Sequence, residues 1–293
     1  MTDTENRSPY ILVADDHSLE ARAAAGAAFQ VARNLNLTIR GLYVIDEGLA
    51  LDTYANYHAE LPDLSFTSNG NIRQPTSRAE LMRCFETQGK VALHWLETAC
   101  TDAGVPLTTR LLACGVSELV LRDTAQAQLL AIGRRGHGGK DDSKSLGHNF
   151  RRIAHHVHVP MLVGGRTTPC LHRVLLAYDG QTHADGALAW TAQLQHDLSA
   201  EVIVLIVCEG TESCQAGVSL VEIEDRLAKS DLETYRLLTS QGRPSTEMAA
   251  IAAANDVDLI ILGRYRHPAL VDWLVGSTVD RLLRATSLPV LIA

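Results

Sequence analysis

Short, nearly continuous apolar runs alternate along this chain with longer stretches of helical spacing. The runs are Tyr10 to Ala14, Leu37 to Val44, Pro106 to Ala113, Leu129 to Gly133, a strand at Met161, Val174 to Tyr178, Val202 to Val207, a strand near Tyr235 to Thr239, Leu259 to Gly263, and the terminal run opened by Pro289. Each is too short for a helix and bounded by turn formers, so each predicts a strand. Between them lie an alanine-rich helix ending near Asn34 and a long helix to about Ala103, opened by the capping-box spacing of Ser77 and Glu80. Further helices are predicted over Val116 to Thr124, after Gly147, from Thr182 to about Ser199, near Leu220 to Lys229, near Thr246 to Asn255, and after Gly276. The start to Pro9 predicts disorder, and Asp46 to Thr76 reads as loop, with no sustained period.

Strands that alternate with helices and are apolar on both faces imply a parallel sheet covered on both sides. The fold class is therefore α/β, and five strands with right-handed crossovers allow the order 2-1-3-4-5 or 3-2-1-4-5. In either, ligands sit at the carboxyl ends of the strands, near the switch point.

The pattern occurs twice. Gly147 falls on Gly276, Arg152 on Arg281 and Pro160 on Pro289, so the chain is an internal duplication. The first domain covers 1–165, with a long insert at about 46–76, and the second 170–293, joined by the turn-forming stretch Gly164 to Pro169. Asp15 pairs with Asp179 at an offset of 164 and Gly133 with Gly263 at 130, which makes the second copy 34 residues shorter, between its second and third strands. The short apolar ends Met161–Val163 and Val290–Ile292 would be exposed edges unless the halves pack through them as a pseudo-dimer.

Composition narrows the function. With 26 basic and 34 acidic residues the formal charge is -8, which argues against a nucleic-acid partner. The polar start and the lack of any apolar run near the roughly 20 residues of a bilayer span predict a cytoplasmic protein with no membrane attachment. The six cysteines have no Cys-x-x-Cys spacing and read as free thiols.

Candidate chemistry gathers at two places that the sheet brings together: the acid after each first strand and the glycine-rich loop after each fourth. Gly276 and Ser277 stand at the start of a helix, where free N–H groups and the dipole attract phosphate. These residues resemble the universal stress protein family, and the resemblance covers nearly the whole chain as two tandem copies. Its nucleotide-binding members carry an aspartate after the first strand, a valine ending the second, and Gly-x2-Gly-x9-Gly-(Ser/Thr) after the fourth. In the second half Asp179, Val207, Gly263, Gly276 and Ser277 match with correct first-to-last spacing, but Arg266 holds the middle glycine position. It either closes the approach of a phosphate or replaces it with a fork of donors. In the first half Asp15, Val44, Gly133, Gly136 and Gly147 match, while the loop is one residue longer and His148 replaces the hydroxyl.

The candidate nucleotide-binding residues are thus Asp179, Gly180, Val207, Gly263, Arg264, Arg266, Gly276, Ser277 and Thr278 in the second half. The degenerate first-half set is Asp15, Val44, Gly133, Arg134, Gly136, Gly147, His148 and Asn149. Loop length aims every donor, so the second half is the favoured binder.

The bland readings stand beside these. Ser277 with Asp280 is also a capping box, and Asp15 and Asp179 can cap the helices after them. His155, His156 and His158 align with Arg284, Ala285 and Ser287, which speaks for dipole complementation and against a metal site. A phosphoacceptor receiver lacks its third-strand aspartate and fifth-strand lysine here. An adenylating or pyrophosphatase enzyme lacks its phosphate loop after the first strand, and no nucleophile, base and orienting acid stand together.

The resemblance implies a stress-response binding and signalling module holding ATP or AMP, with magnesium accompanying ATP. Any hydrolysis would be slow and incidental. A member that binds no nucleotide and acts through a protein client or another small ligand is the alternative. The residues allow a homodimer of whole chains without fixing it.

Overall fold

A computed structural model describes residues 8–46, 67–68, 71–72, 78–136, 146–208, 220–264 and 277–293. The first half runs β1 (Tyr10–Ala14), α1 (Leu19–Asn34), β2 (Thr38–Asp46), a two-residue antiparallel pair β3 (Thr67–Ser68) and β4 (Asn71–Ile72), α2 (Arg78–Ala103), β5 (Leu107–Cys114), α3 (Val116–Thr124), β6 (Leu129–Ile132), α4 (His148–His156) and β7 (Met161–Val163). The second runs β8 (Arg173–Ala177), a 3-10 turn over Thr182–Ala184, α5 (Asp185–Leu198), β9 (Glu201–Cys208), α6 (Leu220–Ala228), β10 (Arg236–Gln241), α7 (Pro244–Ala254), β11 (Leu259–Leu262), α8 (Ser277–Ala285) and β12 (Val290–Ile292). The pair β3–β4 lies within the stretch expected to be loop; of the remainder of that stretch, residues 47–66, 69–70 and 73–76 lie outside the described residues.

All ten long strands form one sheet, in the order β10-β9-β8-β11-β12-β7-β6-β1-β2-β5. Within each half the strands are parallel and follow 3-2-1-4-5, which decides between the two expected orders. At the centre β12 meets β7 antiparallel, with Val290 opposite Val163 and Ile292 opposite Met161. The two apolar edges therefore cover one another, and the halves form the expected pseudo-dimer within a single chain.

Two core layers run the length of this sheet. One face buries Ala24, Ala28 and Leu96 together with Ala187, Leu194 and Leu227; the other buries Phe150 and Ile153 together with Met248 and Leu282. Each layer takes side chains from both halves. At about 1.5–3 kcal/mol for each large apolar side chain fully buried, separating the halves would expose much of what holds either one together.

The stretch expected to be a linker is packed rather than free. A Cβ at Gly164 would lie 1.7 Å from the carbonyl oxygen of Glu20, so α1 and the chain after β7 touch through backbone. Arg166 N–H donates to the Ser287 carbonyl at 2.8 Å and Gln30 Nε2 to the Pro169 carbonyl at 2.6 Å. Of the described cysteines, Cys84, Cys100, Cys114 and Cys170 are in no disulfide, whereas Cys208 is disulfide-bonded, which corrects the expectation of thiols throughout. No sequence motif announces that bond.

Candidate functional site

Two helix starts converge over the carboxyl ends of β1, β2 and β6. Ser18 caps α1, its Oγ accepting from Ala21 N–H at 3.2 Å. At the other start, Gly147 precedes α4 and donates its N–H to the Arg134 carbonyl at 3.0 Å. The approach is too close for a side chain: a Cβ at Gly147 would lie 2.4 Å from the Arg135 carbonyl oxygen. Gly136 has φ 88°, a conformation that L side chains rarely adopt. The start of α4 and the carboxyl ends of β1, β2 and β6 border a cavity of about 890 Å³. Its walls include the first-half candidates Asp15, Val44, Gly133, Gly136, Gly147, His148 and Asn149.

The ladder registers revise one pairing. Ala14 stands opposite Leu42 in the first half and Ala177 opposite Leu205 in the second. The next N–H, of Asp15 and of Tyr178 respectively, donates to the same carbonyls at 3.0 Å. Asp15 is therefore the counterpart of Tyr178, and the counterpart of Asp179 is Asp16. Both accept, through Oδ1, from the N–H two residues on at 3.0 Å, Asp16 from Ser18 and Asp179 from Gln181. The residue between is left-handed in each, His17 with φ 67° and Gly180 with φ 74°. The expected match of Asp15 to Asp179 was one residue out of register, because neighbouring acids at 15 and 16 look alike in sequence while the strand end distinguishes them.

Asp15 is an additional acid in the cavity wall. It is 3% exposed; Oδ1 accepts from His17 N–H at 2.8 Å, and Oδ2 has no hydrogen-bond partner among the described residues. Burial, chiefly, and then the Asp16 charge raise its pKa to about 7, against the opposing effects of the His17 N–H and Arg22.

Other charges around the cavity are paired in part. Asp46 accepts from Asn149 Nδ2 at 3.2 Å, across the start of α4. Arg152 lies 3.4 Å from Glu118 and Arg135 lies 3.6 Å from Glu20. Four carboxylates, Asp15, Asp16, Asp46 and Glu118, thus share the lining with two guanidiniums and His148.

The second half differs. Arg266 and Gly276 lie outside the described residues, and Ser277 is described only as the first residue of α8. Thr278 follows in the first turn. Val207 is half-buried at the end of β9, and Gly263 follows β11. The Asp179 side chain is 55% exposed and lies 3.2 Å from His183 Nε2.

Two expected phosphate contacts serve elsewhere. Arg134 is 1% exposed and turns away from the cavity towards the other half, donating to the carbonyls of Gly164 at 2.8 Å, Leu283 at 2.7 Å, Thr286 at 2.8 Å and Leu288 at 2.7 Å. Arg264 does the mirror task, donating to the carbonyls of Val157 and, at 2.8 Å, Val159. The physical reason is local. Four carbonyls at a helix end have no intrahelical partner, and each arginine leaves a central strand beside such an end.

The model of the universal stress protein family matches residues 10–163 and 171–293. The chain belongs to the universal stress protein family. A curated universal stress protein from Synechocystis sp., Slr1230, is 26% identical over 296 residues, covering 96% of this chain and 98% of that protein. A universal stress protein from Archaeoglobus fulgidus aligns with TM-score 0.70 at 16% identity, over 98% of this chain and 96% of the other. A putative universal stress protein from Pseudomonas aeruginosa aligns with TM-score 0.64 at 13% identity, over 97% and 92%. The tandem, Rossmann-like universal stress protein fold is thereby shown over both halves.

Within this universal stress protein, sequence reasoning passed over Asp16, Asp46 and Arg135. A signal for Asp46 was present: it follows Val44 by two residues on one strand and so shares its face. Arg135 lies between two glycines already singled out. Among the described residues, no helix is long and apolar enough to cross a membrane.

Proposed function

We propose that the chain is a cytoplasmic binding and signalling module of the stress response that holds an adenine nucleotide in its first-half cavity and catalyses nothing, beyond slow incidental hydrolysis. One observation carries this reading: Gly133, Gly136 and Gly147 line a cavity of about 890 Å³ together with Val44, Asp16 and the first residues of α4. Free N–H groups and the dipole at that start suit a phosphate, and the apolar strand ends suit a base. The sequence alone favours the second half through its loop length. The cavity and its matching residues move the proposal to the first.

Charge refines the ligand. Asp16, Asp46 and Glu118 repel anions, and Arg135 and Arg152 are partly neutralised by Glu20 and Glu118. AMP, with fewer negative charges to place than ATP, is therefore the better fit; magnesium would accompany ATP. The same carboxylates favour a second reading, a small ligand without phosphate, or a protein client in its place.

Titration calorimetry with AMP, ATP and magnesium-ATP separates the readings. Binding of AMP tighter than that of ATP is the expected result. Heat from none of the three would leave the second reading standing.

A further inference from the structure

Arg134 and Arg264 each follow the first glycine of one half's loop and end in the other half's last turn. Thr286 and Leu288, which receive Arg134, occupy the positions that Val157 and Val159, which receive Arg264, occupy in the first half. Arg134 is also continuous with the cavity. Its carbonyl accepts from Gly147 N–H at 3.0 Å, at the start of α4, while its guanidinium holds the carbonyls at the end of α8. Main chain and side chain of one residue thus grip the cavity helix of the first half and the corresponding helix of the second. Conversely, Arg264 grips the far end of α4, whose near end lines the cavity.

We propose that Arg134 and Arg264 are positioning residues that couple occupancy of the first-half cavity to the ordering of α8 in the second half. The coupling rests on the nucleotide reading of that cavity. A ligand that fixes Gly133, Gly136 and the start of α4 fixes the Arg134 backbone between them, and burial leaves its guanidinium no alternative partner in water. Burial also pulls the Arg134 pKa down, to about 10, so it stays cationic at neutral pH and its donors remain charge-assisted. By linkage, whatever orders α8 must tighten the cavity to the same degree.

The test is hydrogen exchange on the full chain with and without saturating AMP. In the parent, AMP should slow exchange in 147–159 and, by about fivefold or more, in 277–288. In Arg134→Gln the effect on 147–159 should persist and that on 277–288 should vanish. Slowing confined to the first half of the parent overturns the coupling, as does slowing of 277–288 that survives in Arg134→Gln, since AMP would then act there directly. Should Arg134→Gln fail to fold, Arg264→Gln decides. It touches no part of the cavity, yet should weaken AMP binding about fivefold or more with helix content unchanged, and unchanged affinity overturns the proposal. Binding of no nucleotide by the parent removes the ligand reading and the coupling together, and differs from the other failures in showing no slowing anywhere.

Discussion

Asp16 and Asp179 are the same residue of the fold, each folded back on the N–H two positions on at 3.0 Å, with a left-handed residue between. What differs is the residue before them. The first half buries Asp15 there; the second buries Tyr178, whose hydroxyl lies 3.4 Å from Asp185 Oδ1. A phenol loses little by burial when its hydroxyl has a partner, whereas a buried carboxylate with one oxygen unpartnered loses much. Asp15 is thus a cost to the fold, placed at the wall of the first-half cavity.

Its titration gives a prediction with a definite sign. The folded pKa of about 7 lies above the ordinary carboxyl value of 3.8, so the unfolded chain holds fewer protons on this group between those limits. Stability from Asp15 is therefore full below about pH 4, declines as pH rises, and is lost above about 7. Asp15→Asn keeps the acceptor for His17 N–H and removes the charge. It should stabilise the chain at pH 8 by at least about 1.4 kcal/mol, the equivalent of one pKa unit, and much less at pH 5. Urea unfolding at both pH values checks this; equal effects would place the ionisation elsewhere.

Much of the fold was legible because the central strands are apolar runs bounded by turn formers, as in Leu129 to Ile132 and Leu259 to Leu262. Pairing of Val290–Ile292 with Met161–Val163 was legible from the exposed edges they would otherwise form. What could not be read was direction. Gly133 and Arg134 are adjacent in sequence, yet one lines the cavity and the other crosses to the far half, because successive side chains at a strand end point oppositely. Repeat alignment did put Arg134 on Arg264, but it does not tell a phosphate donor from a carbonyl donor. The order of strands was likewise open until pairing of β1 with both β2 and β6 fixed it.

The two arginines should differ in weight. Arg134→Ala removes a buried donor from four carbonyls and leaves a void, and should cost upwards of about 3 kcal/mol. Arg264 is half-buried, and Arg264→Ala should cost about 1.5–3 kcal/mol. Chemical denaturation of each single variant checks the ranking. A larger loss at Arg264 would contradict the burial argument.

Gly164 is the tightest backbone contact between the segment joining the halves and α1. Its missing Cβ position lies 1.7 Å from the Glu20 carbonyl oxygen and 3.0 Å from Ala24 N, neither of which can rotate aside. Gly164→Ala must displace α1 or β7, and should cost at least the roughly 1–3 kcal/mol of ordinary overpacking. A melting temperature equal to the parent's would show that the joining segment shifts freely.

The final prediction concerns which half binds. Gly136 has φ 88°, and a Cβ there would stand 3.4 Å from Asp16 Oδ2, so Gly136→Val strains the loop base and crowds the acid that faces it. In the second half, Asp179 is mostly solvated and already lies against His183, so a ligand there meets an acid engaged elsewhere. If the first-half cavity is the site, Gly136→Val should weaken AMP binding at least about tenfold, the loss of roughly one charge-assisted contact. Gly276→Val with Ser277→Ala should leave affinity within about threefold, less than a kcal/mol on the same scale. This order is opposite to the one that loop length alone predicts. Loss on the Gly276/Ser277 double substitution with Gly136→Val unchanged would return the site to the second half, where the hydroxyl at the helix start would then outweigh the missing middle glycine.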